Sequence, residues 1–179
     1  MALKFTRAAS EQELHQILAL QKQNMASGLS QEEVLQEGFI TVGHTFDILK
    51  KMNDACPHII AKDEDRVVGY ALVMLRTFRD EIPVLWSMFD TADTLLPNSS
   101  YVAMGQICIA KSHRRQGLFK GMYKYYRQQL QNDFDCLFTK VATANQRSLQ
   151  AHMAVGFEVL KTEITDGVSW ELVNWDWTT

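Results

Sequence analysis

The residues in this chain best suited to chemistry lie in one run, Gln106-Ile107-Cys108-Ile109-Ala110-Lys111-Ser112-His113-Arg114-Arg115-Gln116-Gly117-Leu118-Phe119-Lys120. An apolar strand leads into a short basic loop, and a glycine opens a long amphipathic helix. Helix N-termini present unpaired amides and the positive end of the dipole, which suits a pyrophosphate. Gly117 removes a side chain where backbone must come close to phosphate oxygens. Arg114, Arg115 and Lys120 add charge at the same point. Two other phosphate loops are excluded: there is no Gly-x4-Gly-Lys-Ser/Thr run and no Gly-x-Gly-x-x-Gly run. Taken alone, the same residues also read as solvated loop charges beside an ordinary turn glycine.

A second constellation follows the next strand, Asn145-Gln-Arg-Ser148-Leu-Gln-Ala-His152-Met-Ala-Val-Gly156-Phe157. Asn145, Ser148 and His152 stand at i, i+3 and i+7 and so share one helix face. The two runs together resemble the paired signatures of the GNAT superfamily of N-acetyltransferases. The first signature is Gln/Arg-x-x-Gly-x-Gly/Ala, matched by Arg114 and Gly117 and departed from at Phe119. The second is Asn-x-x-Ala/Ser-x3-Tyr-x3-Gly-Phe, matched by Asn145, Ser148, Gly156 and Phe157, with His152 where tyrosine is usual. Their joint occurrence, in order and each after a strand, is far more specific than either alone.

The resemblance implies direct acetyl transfer from acetyl-CoA to a primary amine of a small molecule, peptide or protein. It implies that Ile107, Cys108 and Ile109 pair with the pantetheine arm, and that Arg114 to Lys120, Asn145 and Ser148 contact the cofactor. A strand amide there could hold the developing oxyanion. The amine must be neutral to attack, so a base is wanted. None is identified: Gln106 and Lys140 occupy positions where some relatives carry carboxylates, and neither accepts a proton usefully. Two roles stay open for His152. Its ordinary pKa of about 6.5 lies below the roughly 8.5 of a thiol, so an imidazolium could protonate the leaving thiolate. Alternatively the ring packs against the cofactor sulfur. Cys108, between isoleucines, reads as a buried inert thiol, as does Cys136. His113 is expected to face solvent.

These residues need elements to position them. Lys4 to Ala8 reads as a strand, and Ser10-x-x-Glu13 is a capping box opening a helix to about Asn24. A second box, Ser30-x-x-Glu33, opens a short helix ended by Gly38. Phe46 to Ala55 suggests another helix. His58 to Lys62 and Val67 to Leu75 form a hairpin across Asp63-Glu64-Asp65. Arg76 to Ser100 is the least readable stretch. Beyond it come a strand (Tyr101 to Ala110), a helix (Gly117 to Gln131) and a strand (Phe134 to Ala142). A helix (Asn145 to Val155) and two strands (Phe157 to Ile164 and Val168 to Trp175) complete the order. The expected fold is α/β (α+β), a mixed, mostly antiparallel GNAT-type sheet with a central parallel pair, flanked by helices in a single domain over residues 1–179. Gly38 to Thr41 and Ile82 to Phe89 could line an acceptor pocket or merely pack the core.

Composition narrows the setting. The 179 residues are 46% apolar and 22% charged, which is globular and not disordered. A net charge of -3 leaves no footprint for nucleic acid. No apolar run is long enough to span a membrane. Three widely spaced cysteines, with no secretory signal, point to a reducing cytoplasmic setting and no metal site. The tryptophan-rich last strand (Trp170, Trp175, Trp177) could support a homodimer. The rival expectation is a catalytically silent, CoA-binding regulatory or partner-binding module.

Overall fold

The computed structural model describes residues 3–25, 39–40, 42–82 and 86–178. The Ser30–Glu33 capping box, Gly38, Thr41 and residues 83–85 lie outside these. In chain order the elements are β1 (Leu3–Arg7), α1 (Glu11–Gln23), α2 (Phe46–Ala55), β2 (Ile59–Asp63), β3 (Arg66–Met74), α3 (Trp86–Leu95), β4 (Tyr101–Ile109), α4 (Leu118–Leu130), β5 (Cys136–Ala142), α5 (Gln146–Val155), β6 (Glu158–Thr165) and β7 (Val168–Asp176). The strands form one seven-stranded sheet in the order β1-β2-β3-β4-β5-β7-β6. Among the named strands the one parallel pair is β4 with β5, registered from Tyr101–Cys136 to Ala103–Phe138. Tertiary contacts group the chain into two compact units that divide within β4, after Ala103.

The first unit holds β1, α1, α2, β2, β3, the second half of β4 and most of α4. The capping box at Ser10 forms as expected: the Ser10 hydroxyl accepts from the Glu13 amide, and the Glu13 carboxylate accepts from the Ser10 amide. Leu14, Ile17 and Leu20 then bury one face of α1. All eight residues from Val67 to Met74 are buried, so β3 is covered on both faces and reads as a continuous apolar run. His58 ties the unit together. Its Nε2 donates to the Leu49 carbonyl at 3.2 Å, and its Nδ1 accepts from the Val73 amide at 3.0 Å. Its own amide donates to Asn53 Oδ1 at 2.9 Å. Burial pushes its pKa down to about 3, so the ring is neutral.

The second unit holds α3, the start of β4, β5, α5, β6 and β7. The stretch the sequence left unread contains a 3₁₀ turn, Arg76–Glu81, followed by α3. Arg76 grips Asp93 through two hydrogen bonds of 2.8 and 2.6 Å, Arg79 pairs with Asp90, and Tyr101 donates to Asp93. The β6–β7 hairpin turns on Asp166 (φ 51°) and Gly167 (φ 76°), the two left-handed residues a tight hairpin of this twist requires. Trp175 packs 5.7 Å from the Phe157 ring and 5.9 Å from Trp177. Trp177 is buried and Trp175 partly so, and both rings pack within the unit.

Candidate functional site

The phosphate-binding candidate belongs to the first unit. β4 ends at Ile109, a short 3₁₀ turn spans Lys111–His113, and α4 begins at Leu118. Between them Arg115 (φ 62°) and Gly117 (φ 81°) both adopt the left-handed conformation. No atom lies within 4 Å of where a Cβ on Gly117 would stand. Glycine is needed here for its dihedral, and the open space beside it suits an incoming oxyanion. Arg115, Gln116, Gly117 and Lys120 are exposed, Leu118 is buried, and Phe119 is half-buried with its ring 5.1 Å from Tyr123. Phe119 therefore packs sideways along α4, so its bulk is taken up by the helix itself.

Two residues of this loop stand differently from the sequence expectation. Arg114 is tied back into the fold: its Nε donates to the Ile109 carbonyl at 3.2 Å, and its terminal nitrogen to Asn24 Oδ1 at 2.6 Å. His113 is turned inward, with Nε2 3.3 Å from Asp63 Oδ2 and Nδ1 2.8 Å from the Ser112 hydroxyl. The solvent-facing histidine expected from the sequence is thus corrected. A nearby carboxylate at the end of β2, invisible to local spacing, draws the ring in.

Ile107, Cys108 and Ile109 lie past Ala103, the last β4 residue registered with β5. Ile107 and Ile109 are half-buried and Cys108 is buried. Burial pushes the Cys108 thiol up to about 12, which leaves it protonated and unfit as a nucleophile. Gln106 is buried with three hydrogen bonds on its amide: Oε1 accepts from Tyr70 Oη at 2.6 Å and Gln21 Nε2 at 3.0 Å, while Nε2 donates to the Val42 carbonyl at 2.7 Å. Gln21 Oε1 in turn accepts from the His44 amide at 2.9 Å. Asn24, Gln21, Tyr70 and His44 were missed by sequence reading because they join Gln106 and Arg114 only through the fold.

The second motif belongs to the second unit. Asn145 is the N-cap of α5, its side chain accepting from the Ser148 amide at 3.3 Å. It therefore precedes the helix instead of sharing the Ser148–His152 face along its length. His152 is buried, and its Nδ1 donates to the Ser148 carbonyl at 2.7 Å. The ring stands edge-on to Phe157 at 5.0 Å. Burial lowers its pKa to about 4, so at neutral pH the ring carries no positive charge. The imidazolium donor envisaged from the sequence is not its resting state. Lys140 pairs with Glu163 at 2.8 Å and sits 5.1 Å over the Trp170 ring, a charged staple under α3 and not a base.

The fold thus sets a loop of left-handed residues after the fourth strand of a mixed sheet and an asparagine-capped helix after the fifth. Residues 13–157 match the acetyltransferase (GNAT) family, and the chain belongs to that family. A comparison with curated protein sequences gives no match. Similar solved structures include the NatC complex bound to Gag peptide and CoA, at TM-score 0.69 and 12% identity over 98% of this chain and 99% of that one. Another is the ribosomal-protein-S18-alanine N-acetyltransferase from Escherichia coli, at 0.66 and 10% over 98% and 94%. A third is yncA from Salmonella typhimurium, solved with its cofactor acetyl-CoA, at 0.66 and 14% over 98% and 94%. At these identities the likeness is one of fold.

Proposed function

We propose that this chain is a cytoplasmic, acetyl-CoA-dependent N-acetyltransferase, a single catalytic domain that acetylates a primary amine of a small molecule, peptide or protein. The observation that carries the reading is the loop from Ile109 to Leu118, where left-handed Arg115 and Gly117 lead into α4 beside open space. Its exposed amides, Arg115 and Lys120 would hold the donor's phosphates, with Gln116, Leu118 and Phe119 shaping the turn. Acetyl-CoA, when bound, supplies an activated thioester. The backbone of Ile107, Cys108 and Ile109 would orient the pantetheine arm and offer an amide to the developing oxyanion. Asn145 and Ser148 would contact the cofactor from the start of α5. His152 would act as a neutral ring, its Nδ1 proton held by the Ser148 carbonyl, placing an apolar edge or the unprotonated Nε2 toward the sulfur. The three free cysteines accord with a reducing compartment.

One observation favours a second reading, a CoA-binding module without catalysis: Gln106 places an amide, committed to three hydrogen bonds, at the strand position where a base would serve. Calorimetric titration of the purified protein with acetyl-CoA, with ATP and NAD as controls, tests the first step. Binding of acetyl-CoA alone is expected, and no binding would overturn the assignment. Thiol release in the presence of an amine panel then separates the readings. Turnover with any amine supports the enzyme, whereas binding with no turnover leaves the module.

A further inference from the structure

The connection between Arg114 and Asn24 carries more than a helix cap. Asn24 closes α1, is only 3% exposed, and has a partner for each of its four polar groups. Its amide donates to the Gln21 carbonyl at 3.0 Å and its carbonyl accepts from the Ile40 amide at 3.1 Å. Its Nδ2 donates to the Leu20 carbonyl at 2.8 Å, and its Oδ1 accepts from Arg114 at 2.6 Å. A side-chain amide fixed by a donor bond on one side becomes a pre-aimed acceptor on the other, so little freedom is lost when Arg114 docks on it. Arg114 in turn bonds the carbonyl of Ile109, the last residue of β4. The guanidinium thus spans the strand that precedes the loop and the helix end that faces it. Arg115, the next residue, is already left-handed.

Resting on the reading above, we propose that Asn24 is a positioning residue for the donor's diphosphate: it sets the loop through Arg114 and does not itself touch the cofactor. The loop's amides then point the same way before any ligand arrives, and the affinity of the loop depends on an uncharged side chain at the end of α1. Because an amide accepts without neutralising, this contact also leaves the positive charge of Arg114 in place beside the phosphate loop, which a carboxylate at position 24 would not. The same asparagine holds Ile40 through its backbone, and the neighbouring Val42 and His44 are held by Gln106 and Gln21. One short stretch at the end of α1, Gln21 to Asn24, therefore holds Arg114 of the loop together with Ile40 and His44.

The test is a double-mutant cycle read by calorimetric titration with CoA, together with far-ultraviolet circular dichroism and thermal unfolding of each variant. Asn24→Ala and Arg114→Leu should each weaken CoA binding about tenfold, the ratio that one hydrogen bond to a charged group commands. The double variant should be no weaker than either single one, because both remove the same contact. A merely structural asparagine would lower the melting temperature and leave CoA affinity unchanged in the folded protein, and that result overturns the proposal. Multiplicative effects of the two substitutions overturn it as well. Arg114 is half-exposed, so Arg114→Leu keeps the comparison open should Asn24→Ala fail to fold. If the parent itself does not bind CoA, the functional assignment falls and the positioning role with it. If the parent binds and the variants match it, only the positioning role falls.

Discussion

Gly117 and His152 show how single residues in this fold are chosen by backbone and by burial. Gly117 holds φ at 81° with open space where a side chain would be, so Gly117→Ala meets no clash and suffers only the left-handed penalty. That costs about 1–2 kcal/mol of stability in thermal unfolding, and CoA titration should show weaker binding from the same variant. A variant as stable as the parent would mean that the loop accepts another path. His152 is buried with its pKa near 4. The turnover of the parent should then have no inflection belonging to this ring between about pH 6 and 8. His152→Ala should lower turnover more than donor affinity, with a pH profile parallel to the parent's. An inflection near neutrality that disappears in the variant would show that the ring does titrate during catalysis.

At the scale of elements, α4 lies so close to β1 that a Cβ on Gly121 would stand 2.8 Å from Phe5 Cε2 and nearer still to Cζ. Helix propensity alone favours Gly121→Ala by about 1 kcal/mol. Overpacking of this kind costs about 1–3 kcal/mol, so net destabilisation is expected in denaturant unfolding. A stabilised variant would show that the Phe5 ring yields freely. Which elements the sequence disclosed follows from the range of the interactions that make them. The Ser10–Glu13 box and the Asp166-Gly167 hairpin involve residues within a few positions, and both were legible; the Asn145 cap is equally local, yet the sequence pattern placed Asn145 on a helix face instead. α3 was less legible, because Arg76–Asp93 and Arg79–Asp90 tie its middle and last turn to the preceding 3₁₀ turn across 17 and 11 positions. The turn into α4 was legible through Gly117, whose left-handed backbone the structure shows. The inward turn of His113 and the Asn24–Arg114 bond were not, since their partners lie 50 and 90 positions away.

For the whole molecule, the two most deeply buried imidazoles set the response to acid, one in each compact unit. Both have folded-state pKa values below the ordinary 6.5, at about 3 for His58 and about 4 for His152. As pH falls, the unfolded chain takes up these protons first, so the folded state loses ground. Their contribution is complete above about pH 6.5 and shrinks as pH falls from there toward 4 and then 3. Denaturant unfolding at a series of pH values should show this decline. His58→Gln, which keeps a donor and an acceptor without a titrating group, should flatten the part belonging to the first unit. A stability curve level from pH 7 to 4 would place both rings in contact with water. The ring of His58 has a further property, because the Val73 amide gives its proton to an imidazole nitrogen and not to a carbonyl in the sheet. That single amide is coupled to a side chain that can be discharged as an acceptor by one proton. Its exchange with deuterated solvent should therefore follow the opening of the ring's surroundings and be faster than that of its neighbours on β3.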